Sequence, residues 1–128
     1  MKYILVLAAA LLTSTAAHSS PETGNVLLSN CNEAVRYQDG ILDVDSENAL
    51  ICLAFLDGLK SAMGLWQDKD KASSITCIPM GINNGQASRI IVEYGRKNPS
   101  ILHHHPIVLA VQAFQDALLA HQIGQCAC

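Results

Sequence analysis

The stretch Asn48-Ala-Leu-Ile-Cys-Leu-Ala-Phe-Leu-Asp-Gly-Leu-Lys-Ser-Ala-Met-Gly-Leu-Trp66 decides the fold. At helical spacing Cys52, Leu56, Leu59, Met63 and Trp66 share one face, and Ile51, Phe55 and Ala62 widen it. So wide an apolar face predicts a central helix packed on several sides. Asp45 or Ser46 is placed to cap its start, and Glu47 suits the positive end of the helix dipole. Gly58 and Gly64 each cost a helix about 1 kcal/mol relative to Ala, which predicts a neighbouring helix close enough to need them. Asp57, beside Gly58, is expected to be a partly buried, paired carboxylate. Cys52, on the inward face, offers a tie to that neighbour.

Upstream, Thr23 is placed to cap a first helix that runs to about Tyr37, with Leu27, Cys31, Ala34 and Val35 as its apolar stripe. Gln38, Asp39 and Gly40 end it, and the link from Ile41 to Asp45 is so short that the two helices must be antiparallel neighbours. That arrangement brings the second half of one helix, with Cys31, against the first half of the next, with Cys52, so a disulfide between them is geometrically reasonable.

Downstream, a charged linker from Gln67 to Thr76 leads into Cys77-Ile-Pro-Met-Gly-Ile-Asn-Asn-Gly-Gln86. Asn83 and Gln86 have the spacing of a capping box. The third helix turns Ala87, Ile90, Ile91 and Tyr94 inward, and Arg96 and Lys97 suit its carboxyl end before Pro99. Ser100 to His105 has room for one helical turn. Pro106 fits the first turn of a fourth helix, whose expected stripe is Ile107, Val111, Phe114, Ala117 and Leu118. Gly124 stops it, and the tail Cys126-Ala-Cys128 returns toward Cys77. The chain therefore reads as all-α, a small disulfide-stapled four-helix bundle. The expected pairs are Cys31 with Cys52 and Cys77 with Cys126, leaving Cys128 over.

The bulk properties place that bundle outside the cytoplasm. Lys2, the apolar run from Ile4 to Leu12 and the small residues from Thr13 to Ala17 form a secretory signal peptide over residues 1–17, ahead of a single domain over 18–128. The run is shorter than the roughly 20 residues that span a bilayer, and no later segment is expected to insert. A mature domain of about 110 residues is enough for one core. Five cysteines in so small an exported chain read as disulfides. The formal net charge is -3, and Asp39, Asp43, Asp45 and Glu47 lie between Arg36 and Lys60 with no base among them. Nucleic acid is thus a poor partner. The acidic cluster is either solvated surface or a means of steering a basic partner.

No residue pattern points to catalysis, a metal or a cofactor, and the chain does not read as an enzyme. His103, His104 and His105 are adjacent and point in different directions, so they read as an exposed turn or a partner contact before a metal site. Cys126-Ala-Cys128 lacks the spacing of a thioredoxin-like pair. Ser61, Ser73 and Ser74 occupy no nucleophile elbow, and Gly81 and Gly85 flank a helix start without the lysine of a phosphate loop.

One set of motifs takes the reading further. Gly24-Asn25-x-Leu27-Leu28-x-x-Cys31 is followed by Cys52-x-x-Phe55-Leu56-x-Gly58, then by Cys77-Ile78-Pro79 with Gln86. Tyr94, Asn98-Pro99-x-x-Leu102, Ala117-Leu118 and a closing cysteine continue the order. The set resembles the Rap/Tai family of immunity proteins, which protect bacteria against peptidoglycan-amidase effectors of type VI secretion. Two positions depart from it. Gly124-Gln125-Cys126 with an added Cys128 stands for the usual Trp-Pro-Cys end, and Phe55 for the usual Tyr.

The resemblance implies a periplasmic, all-helical, often dimeric protein that binds and inhibits an amidase effector by occluding its active site. The surface expected to make the contact is the turn between helices three and four, with Asn98, Ser100, Ile101, His103 and His104. The acidic link from Asp39 to Glu47 is the second candidate. Two other classes compete: a small periplasmic stress chaperone, and a metal- or redox-binding helical protein using the histidine run and the cysteine tail.

Overall fold

A computed structural model describes residues 20–69 and 81–119, with the side chains of 65–69 and 118–119 excepted. The leader expected over 1–17, the cysteines Cys77, Cys126 and Cys128, and the Trp66 and Leu118 side chains all lie outside the described set. Within it the elements are α1 (Gly24–Gln38), α2 (Ser46–Lys69), α3 (Asn84–Lys97), a 3-10 helix (Pro99–His103) and α4 (Pro106–Leu119). The fold is the expected four-helix bundle, and there is no strand among the described residues.

Local chemistry sets the helix ends. The Thr23 hydroxyl accepts the Val26 N–H at 3.4 Å to open α1. Asp45 opens α2: its carboxylate accepts the Asn48 backbone N–H at 3.0 Å and the Asn48 side-chain amide at 2.9 Å. At α3 the capping box is complete. Asn83 Oδ1 accepts the Gln86 N–H at 2.8 Å, and Gln86 Oε1 accepts the Asn83 N–H at 3.2 Å. The turn expected within Ser100 to His105 is the 3-10 helix, and Pro106 takes the first position of α4.

The core is one cluster drawn from all four helices: Leu27, Cys31 and Ala34, then Ala49, Cys52 and Leu56, then Ala87, Ile91 and Val92, then Leu109, Ala110, Ala113 and Phe114. A disulfide joins Cys31 to Cys52 at its centre. The chain it closes has a sequence separation of 21, which under the loop-entropy account is worth about 3 kcal/mol. A domain this size has a total margin of about 5–15 kcal/mol, so this one bond is a large part of it.

Three expectations are corrected. The helix packed most widely is α1, which meets α2, α3, α4 and the 3-10 helix, whereas α2 packs mainly on α1 and α3. Gly58 and Gly64 admit no close neighbour: among the described residues, a side chain added at either would meet nothing within 4 Å. Ala62 and Asp57 are likewise exposed. Alanine and glycine widen an apolar face on paper without requiring that it be covered, and this is why α2 looked more enclosed than it is.

In α4 the buried face is Pro106, Leu109, Ala110, Ala113 and Phe114, while Ile107 is 45% exposed. The opening of α4 is apolar all round and gives no polar marker of phase. The small side chains of Ala110 and Ala113 decide which face the neighbours can approach.

Candidate partner-binding surfaces

The bundle offers two built ends. At one, α1 turns into α2 through residues 39–45. The turn begins with paired backbone bonds: Gly40 N–H donates to the Tyr37 carbonyl and Ile41 N–H to the Arg36 carbonyl, both at 3.1 Å. This is a Schellman closure, and Gly40 at φ +81° supplies the left-handed residue it needs.

The middle of the linker is held by Glu33. Its side chain is only 16% exposed. It accepts from Arg36 Nη1 at 2.8 and 2.9 Å and from the Asp45 backbone N–H at 3.0 Å. Arg36 Nη2 reaches on to the Asp43 carbonyl at 2.7 Å. Asp39 ion-pairs with Arg89 of α3 and so fixes the start of the linker to a third helix. The hydrogen bond from the Asp45 N–H, and then the Arg36 guanidinium, hold the Glu33 carboxyl below the usual carboxylate range. Arg89 does the same for Asp39.

With both ends and the middle of the linker fixed, Ile41 and Leu42 face out, as does Tyr37 in the last turn of α1, whereas Val44 is half-buried. Leu42 is 95% exposed, Tyr37 61% and Ile41 41%. The carboxylates of Asp43 and Glu47 are exposed beside them and take no ion-pair partner among the described residues.

The other end is the turn expected to carry recognition. Asn98 closes α3, with its backbone N–H and its side-chain amide both donating to the Tyr94 carbonyl at 3.0 Å. The His104 carbonyl accepts the Gly24 N–H at 2.9 Å, which pins the turn to the start of α1. The approach is close: a side chain at Gly24 would lie 3.1 Å from the Leu102 backbone. Gly95 makes similar room for Leu28.

Of the five residues expected at this surface, Ile101 points inward and belongs to the core, 7% exposed. Ile101 and Leu102 are the aliphatic residues of this short 3-10 turn, and both pack toward the core, Ile101 buried and Leu102 half-buried. Ser100, His103 and His104 are exposed and Asn98 is half-buried. His105 has a separate task, accepting the Ile107 N–H on Nδ1 at 3.3 Å as the cap of α4.

Sequence reading passed over Glu33 and Leu42. A Glu three residues before an Arg signals only a helix-surface pair, and nothing local marked the contact with Asp45, twelve residues on. Asp57, expected to be the partly buried and paired acid, is exposed and its side chain has no ion-pair partner among the described residues; its backbone carbonyl accepts the Ser61 hydroxyl at 2.8 Å.

A concavity of about 570 Å³ lies between α3 and α4, lined by Ile82, Arg89, Ile90, Glu93, Tyr94, Lys97 and Asp116 among others. Its charges are largely spoken for, Arg89 by Asp39 and Lys97 by Glu93. Among the described residues, the groups that titrate away from their ordinary values are the members of these two pairs and Glu33, which is held down first by the Asp45 backbone N–H and then by Arg36. Structural hydrogen bonding and ion pairing account for them without a catalytic role. No group of three or more His, Cys, Asp or Glu side chains among the described residues is arranged to hold a metal ion, and no described helix is long and apolar enough to cross a membrane.

The motif residues that suggested a family sit in this frame as scaffold. Gly24 and Leu102 make the close approach, Cys31 and Cys52 the bond, and Leu27 and Leu56 the core. No curated protein and no solved structure is similar enough to match the chain. The family model for Rap1a immunity proteins matches residues 23–118, from the cap of α1 nearly to the end of α4. That span takes in nearly all of the described bundle and well over half of the chain, and the chain belongs to the Rap1a immunity protein family.

Proposed function

We propose that this chain is a periplasmic immunity protein that binds and inhibits a type VI secreted peptidoglycan amidase effector. The observation that carries the reading is the family match over residues 23–118. Immunity proteins are generally non-catalytic, and protection here comes from occupying the effector's surface. A leader over residues 1–17 would deliver the chain to the compartment where the amidase finds its substrate. The same compartment is oxidising and suits the Cys31–Cys52 bond.

The turn end supplies one contact surface, Asn98, Ser100, His103 and His104, with the exposed Ile107 and Val108 beside it. A homodimer is part of the reading. Leu50, Ala54, Gly58 and Ala62 form an exposed ridge at four-residue spacing on α2, and the last three are small enough for another helix to approach closely.

Co-expression with amidases encoded beside this gene tests the function. Cells that export an amidase should survive when the full chain is exported with it, and should lyse when residues 1–17 are deleted. Lysis with every neighbouring amidase, despite an exported chain, contradicts inhibition. Light scattering of the purified chain reads the dimer directly.

A further inference from the structure

We propose that the linker between α1 and α2 is a preformed protein-docking surface, with Leu42 as its anchor, for an apolar pocket rimmed by lysine and arginine side chains. The inference deepens the reading above and rests on it: the pocket belongs to the effector that the chain neutralises.

Three observations carry it. The first is shape. Leu42 is 95% exposed on a turn of the chain, so its side chain projects from the surface, and only a concave partner can cover it. Tyr37 and Ile41, on the preceding turn, extend the apolar area. Aromatic and aliphatic anchors that fill a pocket dominate protein interfaces, and charged rims around them set rate and orientation.

The second is rigidity. Short exposed loops ordinarily lose affinity through the entropy of ordering them on binding. This one is ordered in advance by the Gly40 closure, the Glu33 contacts to Arg36 and Asp45, the Arg36 bond to the Asp43 carbonyl and the Asp39–Arg89 pair. None of these interactions uses Leu42. A polar framework holds an apolar side chain out in water.

The third is charge, which selects the partner. Among the described residues, the ion pairs of Glu33, Asp39, Asp43, Asp45 and Glu47 around the linker are with Arg36 and Arg89 alone, and both of those guanidiniums are already engaged. A second copy of the chain meeting this patch about a two-fold axis would place like charges together. An anionic membrane surface and nucleic acid are repelled for the same reason. A basic protein surface is the class that remains.

The test uses the full chain and the amidase from which it protects. Leu42→Asp should weaken binding at least about 30-fold, the scale of an interface hot spot, and abolish rescue, with Tm unchanged because the side chain packs on nothing. Leu42→Met should stay within about fivefold of wild type. Asp43→Asn with Glu47→Gln should slow association and flatten its salt dependence. Wild-type affinity for Leu42→Asp overturns the docking surface while leaving the immunity reading intact. A wild-type chain that rescues no neighbouring amidase overturns the immunity reading, and the docking surface falls with it.

Discussion

The linker end and the turn end of this bundle solve the same problem in opposite ways. Each must carry the chain from one helix to the next over a few residues. At the turn end, Ile101 goes into the core, and Gly24 lets the Leu102 backbone come within 3.1 Å of where a side chain would be. Apolar burial and backbone bonds hold that end, leaving Ser100, His103 and His104 on its outside. At the linker end, carboxylates and guanidiniums hold the chain, and the apolar residues Ile41 and Leu42 are left in solvent. The difference teaches where stability and recognition are separable. A side chain that does not hold the fold is free to serve a partner.

Several changes break or sharpen this contrast. The largest effect is expected from the bond between the helices that meet at the linker. Replacing Cys31 and Cys52 together with Ser should cost about 2–5 kcal/mol, read as a lower urea midpoint. Next comes the turn end. Ile101→Ala should cost about 2–4 kcal/mol as an emptied core position, and Gly24→Ala about 1–3 kcal/mol through crowding against the Leu102 backbone. The matching change at the linker, Leu42→Ala, should stay within about 0.5 kcal/mol. Equal losses for Ile101→Ala and Leu42→Ala would erase the distinction between the ends.

Acid should separate the ends as well, with a smaller effect. The Glu33 and Asp39 carboxyls titrate below their usual range in the folded chain, Glu33 chiefly through the Asp45 N–H and Asp39 through Arg89. Their contribution is therefore fully present at neutral pH and is lost as the pH falls below about 4 through the folded values. In an NMR titration from pH 5 to pH 3, the Asp45 amide should shift as Glu33 takes its proton. The Gly24 amide, bonded to the His104 carbonyl, should hold still. Parallel movement of the two amides would mean that the linker has no acid-sensitive latch of its own.

Much of the frame was legible in the sequence. Thr23, Asp45 and the Asn83–Gln86 box are caps whose side chains act within three residues, so local pattern finds them. The Cys31–Cys52 bond followed from one short link and the antiparallel packing that it forces. What escaped depended on contacts across the fold. The inward turn of Ile101 is set by α1 and α4 packing over it, and the exposure of Gly58 by the lack of a described neighbour. Glu33 gains its role only when Asp45 folds back beside it. The α4 stripe was misphased because a helix start with apolar residues on every side carries no internal marker of its buried face. Leu42 was missed for the converse reason, since an isolated leucine in a link reads as incidental until the polar framework around it is seen.

The most direct test of the central claim is a titration of peptidoglycan cleavage by any candidate amidase effector encoded beside this gene, using the purified, oxidised chain without residues 1–17. The account predicts that cleavage falls in proportion to added chain and ceases near equal subunit concentrations. Undiminished cleavage at a large excess of correctly oxidised chain would contradict it.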